Sequence, residues 1–375
     1  MILQSDFNTF LQGIRPTKPM RDDLMTGHKT LRERLNADET LKPILVSDFL
    51  QGSYRRYTAV RPKGDKRSDV DIIIATKLDE MEYTPKEALA LFEPFLEKYY
   101  KGKWRAQGRS FGIELSYVEL DIVPTSAPAE QEYGILKSES VTSDDNIVEA
   151  QDWRLHRSWL ALDNRTRLDA KKLLDQAASE EEWRAQPLRI PDRDANKWAD
   201  THPLAQIRWT RDKNSRCNGH FVNVVKCIKW WRLEHYTEPA HPKGFPLERL
   251  IGEHCPDGIG SVAEGVVKTL EAIMNSDAVL VLVKSKPRLP DYGVQSHDVF
   301  HRITGDDYAA FYDQVKEGAD LSRRALDSEE RTESGNLWRE MFGSKFPEPP
   351  KSGSAKTGGF TPPAGPAVPG SGRFA

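Results

Sequence analysis

Three aspartates in the first third of the chain have a spacing that could bring their carboxylates together in one site. Asp69 and Asp71 lie two positions apart in the apolar run SDVDIII, and Asp121 follows fifty residues later in VELDIV. Side chains alternate along a strand, so Asp69 and Asp71 share one face, with their Cα atoms roughly 6.8 Å apart. Asp121 is expected to close a second strand. If the two strands are neighbours, about 4.8 Å apart, three carboxylates converge on one point.

Converging carboxylates of this kind predict a metal site. Without compensation they repel one another and raise at least one pKa. Oxygen ligands favour Mg²⁺, which takes few protein carboxylates and completes its shell with water and phosphate. Two such ions about 3.5–4 Å apart are the usual clamp for in-line phosphoryl displacement, so we expect two Mg²⁺, with Mn²⁺ as a substitute. A solvated strand face is the alternative, but the apolar residues after Asp71 predict a buried strand, where unpartnered carboxylates are costly.

A glycine–serine turn precedes Asp69 and offers a phosphate site. Gly52 lets the backbone approach a ligand closely. Ser53 brings a hydroxyl and a backbone N–H to a predicted helix start, which suits a triphosphate. The chain between this turn and Asp69 is locally basic, as binding of a polyanion requires. Its basic residues are Arg55, Arg56, Arg61, Lys63, Lys66 and Arg67.

Hydrophobic periodicity predicts the elements that must position these residues. Helices are expected within the first 40 residues, a strand ending at Gly52, a second strand over 69–78, a helix from Pro85 to about Tyr100, and paired strands over 111–126. Strand signals fade from about residue 150. Residues 194–210 are moderately helical, and further helices are predicted over 220–236, 246–254, 260–276, 306–326 and 330–342. The chain is therefore predicted to be an α+β protein, with a mixed core over 1–150 and a helical lobe over 151–346.

Charge and composition argue against several other classes of protein. The 375 residues carry 54 basic and 57 acidic side chains, and this net charge of −3 speaks against a general nucleic-acid binder. Three cysteines without paired spacing favour a reducing compartment. No apolar stretch approaches the ~18 residues of a membrane span, and the N-terminus lacks a secretion signal, so we expect a cytoplasmic protein. Residues 347–375 contain seven prolines and six glycines, which predicts a disordered tail.

The combined motif, GS followed by DVD and ELD, resembles the signature of the DNA polymerase β-like nucleotidyltransferases. LQGSYRRYTAVRP, DKRSDVDI and RSFGIELSYVELDIVPTS are most similar to clade D of the bacterial cGAS/DncV-like nucleotidyltransferases (CD-NTases) of CBASS anti-phage operons. The resemblance extends over residues 1–345. It implies a polymerase β-like core and a helical OAS/cGAS-like lobe around one active-site cleft. It also implies that ATP, together with GTP, is joined into a cyclic oligonucleotide by attack of a ribose hydroxyl on an α-phosphate, with release of pyrophosphate.

The resemblance assigns roles to the motif residues. Gly52 and Ser53 would hold the donor triphosphate, and Asp69 and Asp71 would bind both metal ions. Asp121 would complete the metal site on the side of the attacking hydroxyl and favour deprotonation of that hydroxyl. The implied product is a cyclic trinucleotide of mixed adenine and guanine composition.

The predicted helical lobe adds candidates for nucleotide binding. The family has a phosphate-binding lysine before an aromatic residue in one helix, and IKWW matches it best at Lys229, with Lys226 as second choice. KGFPLERL resembles the segment whose aromatic residue stacks on the donor base, which places Phe245 there; such a stack contributes about 1–3 kcal/mol. Gly244 replaces a family serine, so one hydroxyl contact is in doubt. The alternatives are two solvated lysines on an amphipathic helix and an ordinary core phenylalanine; Tyr292 is a weaker candidate for base contact.

Two other functions fit the same sequence. A related nucleotidyltransferase would add AMP to a protein or RNA acceptor, although RNA would favour a broader basic surface. A regulated interaction protein is the third hypothesis, because the resemblance implies a ubiquitin-transfer-like, E1/E2-type enzyme that conjugates the C-terminal carboxylate of Ala375. The resemblance further implies a downstream effector for the cyclic product, and we expect the protein to be a monomer.

Overall fold

Residues 1–127 and 187–350, apart from Asp65 and Thr237, are described by the computed structural model. The chain begins with two helices and then enters the sheet. These elements are α1 (Gln4–Ile14), α2 (Lys18–Ala37), β1 (Leu45–Gln51), the short α3 (Gly52–Arg55) and β2 (Asp69–Thr76). The predicted order of helices, strand, turn and buried strand is therefore confirmed.

A helical segment and three strands follow. They are α4 (Pro85–Ala90), α5 (Glu93–Tyr100), β3 (Trp104–Ala106), β4 (Phe111–Glu114) and β5 (Glu119–Ser126). The helix predicted from Pro85 to Tyr100 is divided, because Pro94 lies in the first turn of α5 and has no N–H to continue the bonding of α4. Thr84 and Glu87 form a reciprocal capping box that fixes the start of α4.

The second described part contains two strands and six longer helices. They are β6 (Leu188–Asp192), β7 (Lys197–Thr201), α6 (Pro203–Arg216), α7 (Phe221–His235), α8 (Gly244–His254), α9 (Val262–Leu282), α10 (Gly305–Asp327) and α11 (Arg331–Phe342). The predicted helices from residue 220 onwards are confirmed. The helix predicted over 194–210 is wrong in its first half, because residues 197–201 pair with β6 and tertiary pairing overrides a weak local preference.

The described strands form one mixed sheet. Its order is β1-β2-β5-β4-β3, and β6 joins β5 to β7. β2 and β5 run parallel, and the other described pairs are antiparallel. The sheet thus continues past residue 150, into β6 and β7.

Different elements pack against the two faces of the sheet, and the aspartates lie on one of these faces. Val70, Ile72 and Ile74 of β2 pack into a core with α2, α4 and α5. Ile73 and Ala75 point the other way and pack with Leu204 and Ile207 of α6 and with β6. Because side chains alternate along β2, Asp69 and Asp71 share the face that α6 covers. α7 is the centre of the remaining, helical core, which also takes in α1.

None of the described helices combines the length and the apolar character that crossing a membrane requires.

Candidate active site

The predicted convergence of three carboxylates is confirmed by the sheet register. Asp71 of β2 lies directly opposite Asp121 of β5, and Asp69 lies opposite Glu119. Paired residues of neighbouring strands point to the same face, so the three aspartates share one surface. Asp121 is the third residue of β5, so the expectation that it closes a strand is wrong. The cluster lies where β2 and β5 begin, because the two strands run in the same direction.

Burial and mutual repulsion disfavour the charged forms of Asp71 and Asp121 in this cluster. Burial, followed by the charges of Asp69 and Asp121, raises the pKa of Asp71 to about 7. Burial and the charge of Asp69 also raise the pKa of Asp121. Placing three carboxylates here therefore costs free energy unless a cation compensates them.

The donor set fits a metal that shares its ligands with a substrate. Among the described residues, no three His, Cys, Asp or Glu side chains enclose a common metal position by themselves. The aspartate cluster offers oxygen donors only, which suit Mg²⁺ and Mn²⁺. Mg²⁺ commonly uses one or two carboxylates and takes its other ligands from water and phosphate. Asp69, Asp71 and Asp121 are the residues that would hold it.

The glycine–serine turn lies directly against this cluster. Gln51, the last residue of β1, pairs with Asp71 across the sheet, so Gly52 follows beside the Asp71 carboxylate. Gly52 has a φ of 75°, and a Cβ added there would overlap the Asp71 carboxylate. The carbonyl of Ser53 accepts backbone N–H bonds from Thr58 (2.9 Å) and Ala59 (3.1 Å), which fixes the chain after the turn. Glycine is thus required at residue 52 for a close approach to a side chain of the protein itself.

A hairpin that sequence reasoning missed holds Asp121. Gln107, in the loop between β3 and β4, donates its side-chain N–H to Oδ1 of Asp121 at 3.1 Å. The hydroxyl of Ser110 donates to the side-chain oxygen (Oε1) of Gln107 at 2.9 Å, which sets the orientation of the Gln107 amide. Gly112 pairs with Asp121 in the ladder, and a Cβ there would come within 2.7 Å of the Gln107 amide nitrogen. The short strand β3 gave no periodic signal.

Lys226 of α7 is buried and Lys229 is mostly covered, so the interpretation of the two as solvated surface lysines is wrong. Lys226 is 0% exposed. Burial, and then the charge of Arg15, places the pKa of Lys226 well below its usual value. The Lys229 side chain retains 12% exposure and donates to the carbonyl of Thr58 at 3.1 Å and to Glu248 at 3.0 Å. Lys229 therefore connects α7 with the segment that follows the glycine–serine turn.

Glu248 on α8 joins several of the predicted nucleotide contacts. Its second carboxylate oxygen accepts from Nε of Arg56 at 3.1 Å. Burial alone would raise the pKa of Glu248, but the charges of Arg56 and Lys229 lower it to about 2. The Arg56 guanidinium lies 5.0 Å above the ring of Phe245, which is half-buried in the first turn of α8. Glu248 lies three residues after Phe245, in the Leu-Glu pair of KGFPLERL that resembles the family segment, but the sequence assigned it no role.

Tyr292 belongs to an aromatic group next to Phe245. Its ring stacks on Trp209 with centroids 3.6 Å apart and meets Phe245 edge-on at 6.3 Å. The preceding residue, Asp291, accepts a 2.8 Å hydrogen bond from Gln206, whose side-chain oxygen accepts one from Gln51 at 3.1 Å. The loop that carries Tyr292 is thereby tied to the residue before Gly52.

The fold and the sequence relatives define the protein as a nucleotidyltransferase. The fold is similar to the structure of Escherichia coli MS115-1 CdnC with ATP, with a TM-score of 0.60 and 15% identity over 92% of this chain and 98% of that one. Residues 1–141 match the Second Messenger Oligonucleotide or Dinucleotide Synthetase domain.

Full-length relatives define the family. The chain is 50% identical over 383 residues to a cyclic AMP-AMP-GMP synthase of Enterobacter hormaechei subsp. hoffmannii, covering 100% of both. It is 28% identical over 361 residues to a cyclic AMP-AMP-AMP synthase of an Acinetobacter species, covering 95% of this chain and 89% of that protein. The chain belongs to the bacterial CD-NTases, and these two relatives are named as synthases of cyclic oligonucleotides.

Proposed function

We propose that the protein joins ATP and GTP into a cyclic trinucleotide, releases pyrophosphate, and thereby signals in anti-phage defence. The observation that carries the proposal is the register of Asp71 against Asp121, with Asp69 on the same face and Gly52 against Asp71. The relative named a cyclic AMP-AMP-GMP synthase supports a product of mixed bases, since it is identical at half of its positions.

In this proposal the three aspartates have different roles in the reaction. Asp69 and Asp71 would hold two Mg²⁺ ions, which supply positive charge against the phosphates when bound. Asp121, opposite Asp71, would orient the attacking ribose hydroxyl and favour loss of its proton.

The donor nucleotide is assigned to the turn and the helices beside it. Gly52 and Ser53 would bind its triphosphate, and Phe245 would stack on its base. Lys229 is favoured over Lys226 for the β- and γ-phosphates, because its side chain keeps 12% exposure whereas Lys226 has none. Lys226 would then lie behind Lys229 in the core, where burial lowers its pKa and disfavours its charged form.

The test is product analysis on a carboxylate variant. Purified protein with Mg²⁺ and all four nucleoside triphosphates should give pyrophosphate and a phosphatase-resistant cyclic product identified by mass spectrometry. Asp69→Asn combined with Asp71→Asn should abolish both. The matched control is Asp313→Asn with Asp320→Asn, two exposed carboxylates of α10. Synthesis by the Asp69/Asp71 variant would show that the site is wrong, and AMP attached to a protein or RNA would favour the alternative acceptor.

The remaining expectations stay predictions. The prediction of a disordered tail over 347–375 is wrong for residues 347–350, which are described and where the Thr332 hydroxyl donates to the carbonyl of Pro350 at 3.4 Å. Ala375 and the tail from residue 351 lie outside the described residues. Conjugation of Ala375 by an E1/E2-type enzyme, a downstream effector, membership of clade D, a monomeric state and a cytoplasmic location are supported by the sequence or by the family resemblance. The AMP-transfer and interaction-protein alternatives have no observation of the fold in their favour.

A further inference from the structure

Glu248 is the one carboxylate that contacts both Arg56 and Lys229 in the described part of the chain. The three side chains come from α8, from the residue after α3, and from α7. Glu248 is 6% exposed and Arg56 is 4% exposed, so the contacts lie within the protein. Each carboxylate oxygen serves a different partner: Oε1 accepts from Lys229 at 3.0 Å and Oε2 from Arg56 at 3.1 Å.

The charges of this group do not cancel. One carboxylate faces two cations directly, so the ion pairs of Glu248 leave one positive charge over. Buried charges are costly without a partner, so the second cation favours a further anion, and Asp71, on which the Arg56 charge acts, is one such anion nearby. A nucleoside triphosphate in the neighbouring site would supply another.

The contacts leave hydrogen-bonding capacity on both cations. An ammonium has three N–H donors, and Lys229 directs two of them to Glu248 and Thr58. A guanidinium has five, and Arg56 uses its Nε for Glu248. Long cationic side chains lose conformational entropy when they are ordered, so holding them before a ligand arrives reduces the cost of binding.

The same group reaches both ends of the proposed donor site. Arg56 lies over one face of the Phe245 ring, and Lys229 holds the carbonyl of Thr58, whose N–H binds the carbonyl of Ser53. Arg56 lowers and Glu248 raises the pKa of Asp71, so both charges act at the aspartate cluster as well. The glutamate is thus connected to the turn, the aromatic ring and the carboxylates.

We propose that Glu248 is a positioning residue for nucleoside triphosphate binding, which holds Arg56 and Lys229 in the orientation that receives the β- and γ-phosphates. The proposal rests on the proposed function for the location of the donor nucleotide. Glu248 itself contacts protein side chains and leaves the nucleotide to the cations that it orients.

The test compares ATP with AMP, which keeps the base, ribose and α-phosphate but lacks the two outer phosphates. Calorimetric titration with Mg²⁺ present should show ATP affinity at least tenfold weaker in Glu248→Gln, with AMP affinity changed less than twofold. Glu253→Gln is the matched control, because Glu253 pairs with Arg249 at 2.6 Å on the same helix and is half exposed. It should bind both nucleotides like the wild type.

Equal losses for ATP and AMP, or no loss for ATP, would overturn the proposal, since a merely structural glutamate would affect both nucleotides alike. Thermal melting identifies a misfolded variant. If Glu248→Gln does not fold, Glu248→Asp decides: it keeps the charge but is one methylene shorter, and should weaken ATP at least threefold while sparing AMP. Wild-type protein that binds ATP without forming a cyclic product would refute the proposed function and leave this comparison intact.

Discussion

Asp71 is the residue on which the constraints of the site converge. It pairs in the ladder with Asp121, shares its face with Asp69, and lies against Gly52. The sequence predicted this meeting because strand periodicity fixes the face of each aspartate and an apolar run predicts burial. It could not predict Gln107 or Glu248, because a single polar residue in a loop or helix acquires its role only from the partner that the fold brings to it.

The raised pKa of Asp71 predicts a stability that depends on pH when metal is removed. Between pH ~4 and ~7 the folded protein binds more protons than the unfolded chain, so its stability falls as pH rises through this range. Asp71→Asn lacks this loss and should be more stable than the wild type at pH 8, by ~4 kcal/mol at most, with the difference vanishing near pH 4. Urea denaturation in EDTA measures it; Asp313→Asn is the control, and parallel pH curves for wild type and Asp71→Asn would contradict the prediction.

Comparing Gly52→Ala with Gly64→Ala separates the effect of backbone strain from the effect of steric overlap. Its Cβ would displace the Asp71 carboxylate, and displacement of a reacting group by about 1 Å can cost ~100-fold in rate. Gly64→Ala is the matched control: Gly64 has a φ of 62°, but a Cβ there meets nothing within 4 Å. Both variants should lose about 1–2 kcal/mol of stability from their left-handed backbone. Only Gly52→Ala should lose synthesis, measured as pyrophosphate release; similar activity in both would show that overlap with Asp71 is unimportant.

At the scale of elements, helices and strands with strong hydrophobic periodicity were predicted correctly from the sequence. Short or polar elements were missed. The long helices α7 to α11 and the strands β2 and β5 carry repeating apolar positions and were found from the sequence. β6 contains Pro191 and β7 is rich in polar residues, so neither resembles a strand until they pair with each other. α7 was found, but its burial on nearly all sides was missed, because Asn223 and Lys226 look like a polar face.

The hairpin between β3 and β4 yields a prediction at this scale. Gln107→Ala removes the amide that holds Oδ1 of Asp121, leaving that carboxylate free to rotate. Loss of such supporting contacts typically costs 10–100-fold, so we expect kcat to fall by at least ~10-fold. Ser110→Ala removes only the support of Gln107 and should cost less. Steady-state kinetics of pyrophosphate release measures both, and an unchanged kcat in Gln107→Ala would remove the hairpin from the site.

At the scale of the whole molecule, the first helix and the last described α-helix pack together in the helical core. α1, at the start of the chain, packs in the helical core with α11 and with Phe346, far along the sequence. Phe7 meets Trp338, Phe342 and Phe346 edge-on, with centroids 4.9, 5.9 and 5.3 Å apart. Helical spacing predicted α1 but not its partner, since periodicity reports that a face is buried and not what covers it.

Phe346 therefore limits how far the chain can be shortened from its C-terminus. It is 0% exposed, and Arg339 donates to its carbonyl at 2.6 Å. Residues 351–375 add proline and glycine but little apolar area, so their deletion should leave the urea midpoint and cyclic-product synthesis unchanged. Deletion from Phe346 onwards opens a cavity against Phe7 and Phe342 and should cost about 3–5 kcal/mol. If removing 351–375 also lowers the midpoint, the tail contributes to the folded body and could not serve as a terminus left accessible for conjugation.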